Sequence, residues 1–194
     1  MASLIVIFGP PASGKAAVGS ELAALTGARF FHNHMTAEPV AALFGWNNED
    51  YTDVAAQVRL LLLTRALSTK ASADVVFTFV WAFDLDLDTR FIGSLVTAVE
   101  SAGNKVCFVE LKASQATRIA REGTPLRLAL KPAKRDVERA RAFHARIDAL
   151  HTMNSSGTFA YPQRHLIIDT EKLSPNEAAR HIAGHFSLPL RQQD

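Results

Sequence analysis

Leu4-Ile5-Val6-Ile7-Phe8-Gly9-Pro10-Pro11-Ala12-Ser13-Gly14-Lys15 decides how this chain is read. Five apolar residues, as in a buried strand, run into a loop framed by two glycines. The loop opens a helix-period stretch over Lys15–Thr26. The spacing matches G-x-x-x-x-G-K. Glycines let backbone N–H groups turn inward around phosphate. The helix N-terminus adds partial positive charge, and the lysine reaches the outer phosphates. The expected phosphate cradle is Gly9, Pro10, Pro11, Ala12, Ser13, Gly14, Lys15, Ala16 and Ala17. The bland alternative is a glycine-rich turn with a chance lysine. The motif lacks one part: Ala16 stands where a Ser or Thr hydroxyl would ligate Mg²⁺.

Working outward, short apolar runs alternate with amphipathic stretches. Strands are expected at Leu4–Phe8, Ala28–His32, Asp74–Val80, Lys105–Leu111 and His165–Asp169. Helices are expected at Lys15–Thr26, Thr52–Ala71, Asp88–Ala102, Ser114–Arg121, Arg135–His151 and Pro175–Phe186. Gly27 and Gly103 sit where helix C-termini need a left-handed residue. Ser174-Pro175-Asn176-Glu177 combines an N-cap serine, a proline and a glutamate in a capping box. Alternation of this kind predicts an α/β fold with a parallel sheet.

Composition agrees. The chain has 194 residues, 48% hydrophobic and 21% charged, enough for one domain over 1–194 with a full core. No apolar run approaches a membrane span, and the first ten residues lack the basic start of a signal peptide. Cys107 is the only cysteine, so no internal disulfide forms and a reducing cytoplasm is expected. From Lys112 to Asp148, Lys and Arg outnumber Asp and Glu by ten to four. This block points to an anionic partner. It carries one aromatic residue, Phe143, so base-stacking platforms for nucleic acid are not indicated.

The stretches IVIFGPPASGK, FFHNHMT and LALKPAKRD resemble the small P-loop kinases, the group of shikimate, gluconate and nucleoside monophosphate kinases. They look closest to a bacterial set of short, shikimate-kinase-like P-loop proteins. The resemblance implies a three-layer α/β sandwich around a five-stranded parallel sheet in order 2-3-1-4-5. It also implies a small helical lid, about 122–134, and ATP as phosphoryl donor. It implies Arg121 on the adenine face and Arg127 in the lid over the γ-phosphate. Asp169 and Thr170 would border the base through their backbone, and Arg59 would grip an anionic acceptor. The other reading of Arg59 is a solvent-facing arginine on an apolar helix. Adenylate kinases carry threonine at the position of Ala17, a second departure in the metal site.

The acceptor side belongs at the carboxyl ends of the strands. Here the second run ends His32-Asn33-His34, without the acidic residues that shikimate and gluconate kinases place there. His34 is a candidate base, or Asn33 and both histidines bind the acceptor by hydrogen bonds; alternatively they cap the next helix. Asp84, after the third run, is the first candidate for the base or for an outer-sphere hold on Mg²⁺ through water. Asp88 is expected as the N-cap of the following helix, and Trp81 as pocket lining or core. The functional expectation is an ATP-dependent phosphotransferase with a small-molecule acceptor, monomeric or dimeric. Its rivals are a nucleotide-binding protein or weak NTPase, and a nucleic-acid end kinase or RNA-binding module.

Overall fold

β-Branched and aromatic residues fill the strands, and the central strands bury both faces. β1 (Ser3–Phe8) and β3 (Val75–Phe79) are buried almost throughout. Such strands need helices on both sides of the sheet. The computed structural model describes residues 1–46, 48–68, 73–122 and 137–191. The remaining strands are β2 (Arg29–His32), β4 (Lys105–Lys112) and β5 (His165–Asp169). All pairings are parallel, and the five strands lie in the order β2-β3-β1-β4-β5.

The helices are α1 (Lys15–Thr26), α2 (His34–Phe44), α3 (Glu49–Leu67), α4 (Asp86–Ser101), α5 (Gln115–Ala120), α6 (Val137–Leu150) and α7 (Pro175–His185). Alternation along β1 divides the core. Leu4, Val6 and Phe8 pack with Leu63 and Leu67 of α3 and Phe91, Ile92 and Leu95 of α4. Ile5 and Ile7 pack on the opposite face with Val18 and Leu22 of α1 and Ala178, Ile182 and Ala183 of α7. The result is the three-layer α/β sandwich with the expected strand order.

Local chemistry explains the element ends. Gly27 terminates α1 in the left-handed region, φ 76°. Ser174 and Glu177 complete the capping box of α7. Asn48 caps α3 by accepting from the Asp50 N–H, so that helix starts before the expected Thr52 and ends at Leu67. α2 has no counterpart among the expected helices: Pro39 lies inside it and removes one backbone donor. α4 begins at Asp86, with Leu85 at the cap position. Asp88 is therefore inside the first turn, and its carboxylate instead accepts the Ala82 N–H at 2.9 Å. The expected lid, about 122–134, lies outside the described residues except for Glu122. No helix among the described residues is long and apolar enough to cross a membrane.

α1 seats on the sheet through Gly19. A Cβ there would stand 2.6 Å from Phe30 Cε2 of β2. In an open helix Gly→Ala stabilises by about 1 kcal/mol. Here the steric term reverses the sign, and Gly19→Ala should destabilise by about 1–2 kcal/mol. Urea denaturation checks this; a gain in stability would show that the α1–β2 contact is looser than described.

Candidate phosphate-binding and acceptor site

The loop after β1 takes its shape from three residues with positive φ: Gly9 at 138°, Ala12 at 61° and Gly14 at 98°. Gly9 is sterically required, since a Cβ would lie 2.4 Å from the Leu111 carbonyl oxygen of β4. Gly14 caps α1 without any side-chain hydrogen bond, which leaves the first-turn amides facing the loop. Lys15 is 8% exposed, and its Nζ donates to the carbonyls of Gly9 and Pro10, each at 2.7 Å. The ammonium thus spans the cradle on acceptors that phosphate oxygens can replace. Ala16 and Ala17 follow in α1 and offer no side-chain oxygen.

Beside the loop, Thr170 joins three segments. Its Oγ1 lies 3.0 Å from the Ser13 carbonyl and accepts from Arg121 Nη1 at 3.0 Å. Arg121 Nη2 also donates to the Thr170 carbonyl at 2.7 Å, and the Thr170 N–H donates to Lys112. The structure brings Arg121, Thr170 and the loop together. Asp169 stands next to them in the chain. Its carboxylate caps its own turn at the Glu171 N–H and pairs with Lys172 at 3.3 Å. The Glu171 N–H, chiefly, holds its pKa below the usual carboxylate range.

Arg118 lies in α5, one turn before Arg121. It is 5% exposed and donates to the carbonyls of Pro11 and Ala113. It also pairs with Asp148 of α6 at 2.5 Å. A second, fully buried pair, His144–Glu122 at 2.9 Å, ties α6 to the end of α5. Arg127 lies outside the described residues.

On the acceptor side, His34 opens α2 and pairs with Glu38, one helical turn on, at 3.2 Å. An acidic residue does therefore meet this histidine, four positions later than where one was sought. The Asn33 carbonyl accepts from Thr36, and the Asn33 Oδ1 is buried without a hydrogen-bond partner among the described residues. His32 ends β2 next to Thr78 of β3, with its ring 6.5 Å from that of His34.

Arg59 overturns the solvent-facing reading. It is 8% exposed, donates from Nε to Thr36 Oγ1 at 3.2 Å, and lies over the rings of Phe79 and Phe91. Burial pulls its pKa down, offset by Tyr51 and Asp88. Burial likewise raises Asp88, against the Ala82 N–H and Arg59. Tyr51, first, and Asp88 thus both act on the Arg59 charge inside the protein.

Trp81 is 3% exposed and stacks on Phe83 at 4.7 Å within a cluster that includes Phe8 and Phe159. It packs as a core residue. Asp84 is engaged at both oxygens, by His151 Nδ1 at 2.9 Å and by the Thr152 N–H at 2.8 Å. Those two donors hold its pKa below the usual carboxylate range, with His151 the larger cause. The lowered pKa makes Asp84 a weaker proton acceptor, while each oxygen keeps a further lone pair for water.

Sequence reasoning missed Glu110. It is fully buried at the head of β4 and accepts from Asn154 Nδ2, the Ser155 N–H and Ser155 Oγ. His165 Nε2 lies 3.0 Å away. Burial, chiefly, pushes the His165 pKa down, while Glu110 pulls it back up. A lone glutamate in an apolar strand was the available signal.

No known protein-family profile matches the chain, and no curated protein matches it in sequence. Solved structures match its fold. A gluconokinase from Sinorhizobium meliloti superposes with TM-score 0.57 at 15% identity, covering 95% of this chain and 91% of its own. A shikimate kinase from Acinetobacter baumannii, bound to shikimate, gives TM-score 0.54 at 17% identity, with 96% and 93% covered. The Deinococcus radiodurans tunicamycin resistance protein gives 0.59 at 20% identity over the full length of both chains. The chain therefore has the fold of the small P-loop kinases.

Lys15→Ala should weaken ATP binding about 10- to 100-fold, the worth of one or two charge-assisted hydrogen bonds. The fold should persist, because Lys15 Nζ donates to the carbonyls of its own loop, Gly9 and Pro10. Calorimetric titration with ATP, alongside a thermal melt, checks both; unchanged affinity would remove the loop from nucleotide binding.

Proposed function

We propose that this protein is an ATP-dependent phosphotransferase that moves the γ-phosphate to a small-molecule acceptor. The observation that carries this reading is the Gly9–Lys15 loop, with its left-handed turns, its uncapped α1 start and Lys15 held across its own carbonyls. In this reading the loop amides and Lys15 hold the phosphates, and Arg121 with Thr170 borders the nucleobase. His32, Asn33, His34 and Arg59 belong to the acceptor side. Arg127 would add charge to the transferring group from the lid. The likeness to a gluconokinase and a shikimate kinase supports a hydroxyl-bearing acceptor. The single buried Cys107 favours the reducing cytoplasm as its location.

Mg²⁺ fits this loop poorly. Ala16 and Ala17 give it no inner-sphere hydroxyl, and Asp84 is engaged elsewhere. The same observation supports a second reading, a nucleotide-binding protein with little transfer chemistry. Incubation with γ-labelled ATP and fractionated metabolite pools separates the two. Label passing to an acceptor, with acceptor-dependent ADP release, supports the transferase. ATP binding without transfer from any pool favours the binding protein.

The metal can be tested without an acceptor. Mg²⁺ should improve ATP affinity only about two- to threefold in the wild type, because waters and the nucleotide must complete its shell. Ala17→Thr should enlarge that dependence. A large Mg²⁺ effect in the wild type, unchanged by the substitution, would show that the missing hydroxyl is irrelevant.

A further inference from the structure

The segment after α6 lies across the carboxyl edge of the sheet, and its first residue is a histidine the phosphate loop does not use. The Phe83 N–H donates to the Thr152 carbonyl at 2.8 Å, and the Thr152 N–H returns to Asp84 Oδ1. This two-way tie fixes Asp84 against the segment. Asp84 Oδ2 then takes His151 Nδ1 at 2.9 Å. With a proton on Nδ1, the lone pair of the neutral ring is on Nε2. That atom makes no hydrogen bond to any described residue, and the side chain is 23% exposed. Asp88 of α4 is the other charged group that acts on both His151 and Asp84, and it is turned to the Ala82 N–H and Arg59.

A carboxylate that orients an imidazole through Nδ1 leaves the far nitrogen as a proton acceptor near neutral pH. His34 is the rival, and its partner Glu38 lies one turn along the same helix. Asp84 is locked to the backbone of the segment that carries His151.

We propose that His151 is the general base for the transfer, with Asp84 as the residue that positions it. The assignment rests on the phosphotransferase reading above. In the step, the acceptor O–H bond breaks and its proton passes to His151 Nε2. The acceptor oxygen forms a bond to the γ-phosphorus. The bond from that phosphorus to the β,γ-bridging oxygen breaks, and its electron pair leaves with ADP. Asp84 stabilises the imidazolium.

Water is the acceptor used in the test: ATP hydrolysis is followed by phosphate release, and ATP affinity by calorimetry. His151→Asn should lower kcat about 10- to 100-fold and leave ATP affinity within about twofold. Free imidazole should restore part of the rate to His151→Gly. Asp84→Asn should lower kcat with little change in KM and remove the Nδ1–H signature of His151 from the imidazole ¹⁵N spectrum. His181→Asn, at an exposed position of α7 away from the site, should keep the wild-type kcat. The proposal is overturned if His151→Asn hydrolyses ATP at the wild-type rate, or if its loss of rate follows a matching loss of ATP affinity. It also falls if the kcat loss appears in His34→Asn instead. In each of those cases the transferase reading stands. A wild type that binds ATP, but neither hydrolyses nor transfers it, removes that reading and the base together.

Discussion

The Leu111 carbonyl oxygen occupies the space that any side chain at position 9 would need. That exclusion holds the phosphate loop flush against β4. The same carbonyl accepts from Asn154 Nδ2, and the preceding residue, Glu110, gathers Asn154 and Ser155 around a buried carboxylate. A turn of backbone at the end of β1 is therefore joined, through the end of β4, to a segment more than 140 residues later. Loop, strand end and post-helical segment form one unit because a single glycine lets them touch. Elsewhere on the loop, Arg118 holds Pro11 from α5 and hands its charge to Asp148 of α6. α6 is thus tied to the nucleotide side through Arg118, and its trailing segment to the acceptor side through Asp84.

The two sides of the site differ in electrostatic character. Near Gly14 the cations Arg121 and Arg118 stand beside loop carbonyls, with Thr170 as the relay. At the β2–β3 edge, Arg59 is buried and Asp88 half-buried, each acting on the other's charge, and the donors to Asp84 hold its pKa below the usual carboxylate range. Buried charge is tolerated only when paired and hydrogen-bonded. This edge is accordingly organised in advance, and under the proposed transfer that order would limit the reorganisation needed at the reacting centre.

Local features of this fold were legible in sequence. The β1–loop–α1 unit, the glycine after α1 and the capping box of α7 each depend on a few consecutive residues, and each stands where expected. α2 was not legible: Pro39 interrupts an eleven-residue stretch whose helix is held by packing on α3. Arg59 and Arg65 look alike in sequence, and only the sheet's aromatic face distinguishes the buried one. Asp84 could be picked out as chemically active, but not as paired. Its partners, His151 and Thr152, stand more than 60 positions away in a stretch without periodicity. Glu110 was hidden for the same reason, since its network closes only through residues 154, 155 and 165.

Cys107 lies in the middle of β4, the strand on which this arrangement leans. Burial pushes its thiol up to about 11. At neutral pH only about one molecule in ten thousand then carries the reactive thiolate, against a few per cent for an open cysteine. Alkylating reagents should meet this sulfur almost entirely through chains whose central sheet has parted. The protein therefore contains its own unfolding gauge. The rate at which a maleimide consumes the single thiol reports how often β4 separates from its neighbours, with no probe added and no side chain changed.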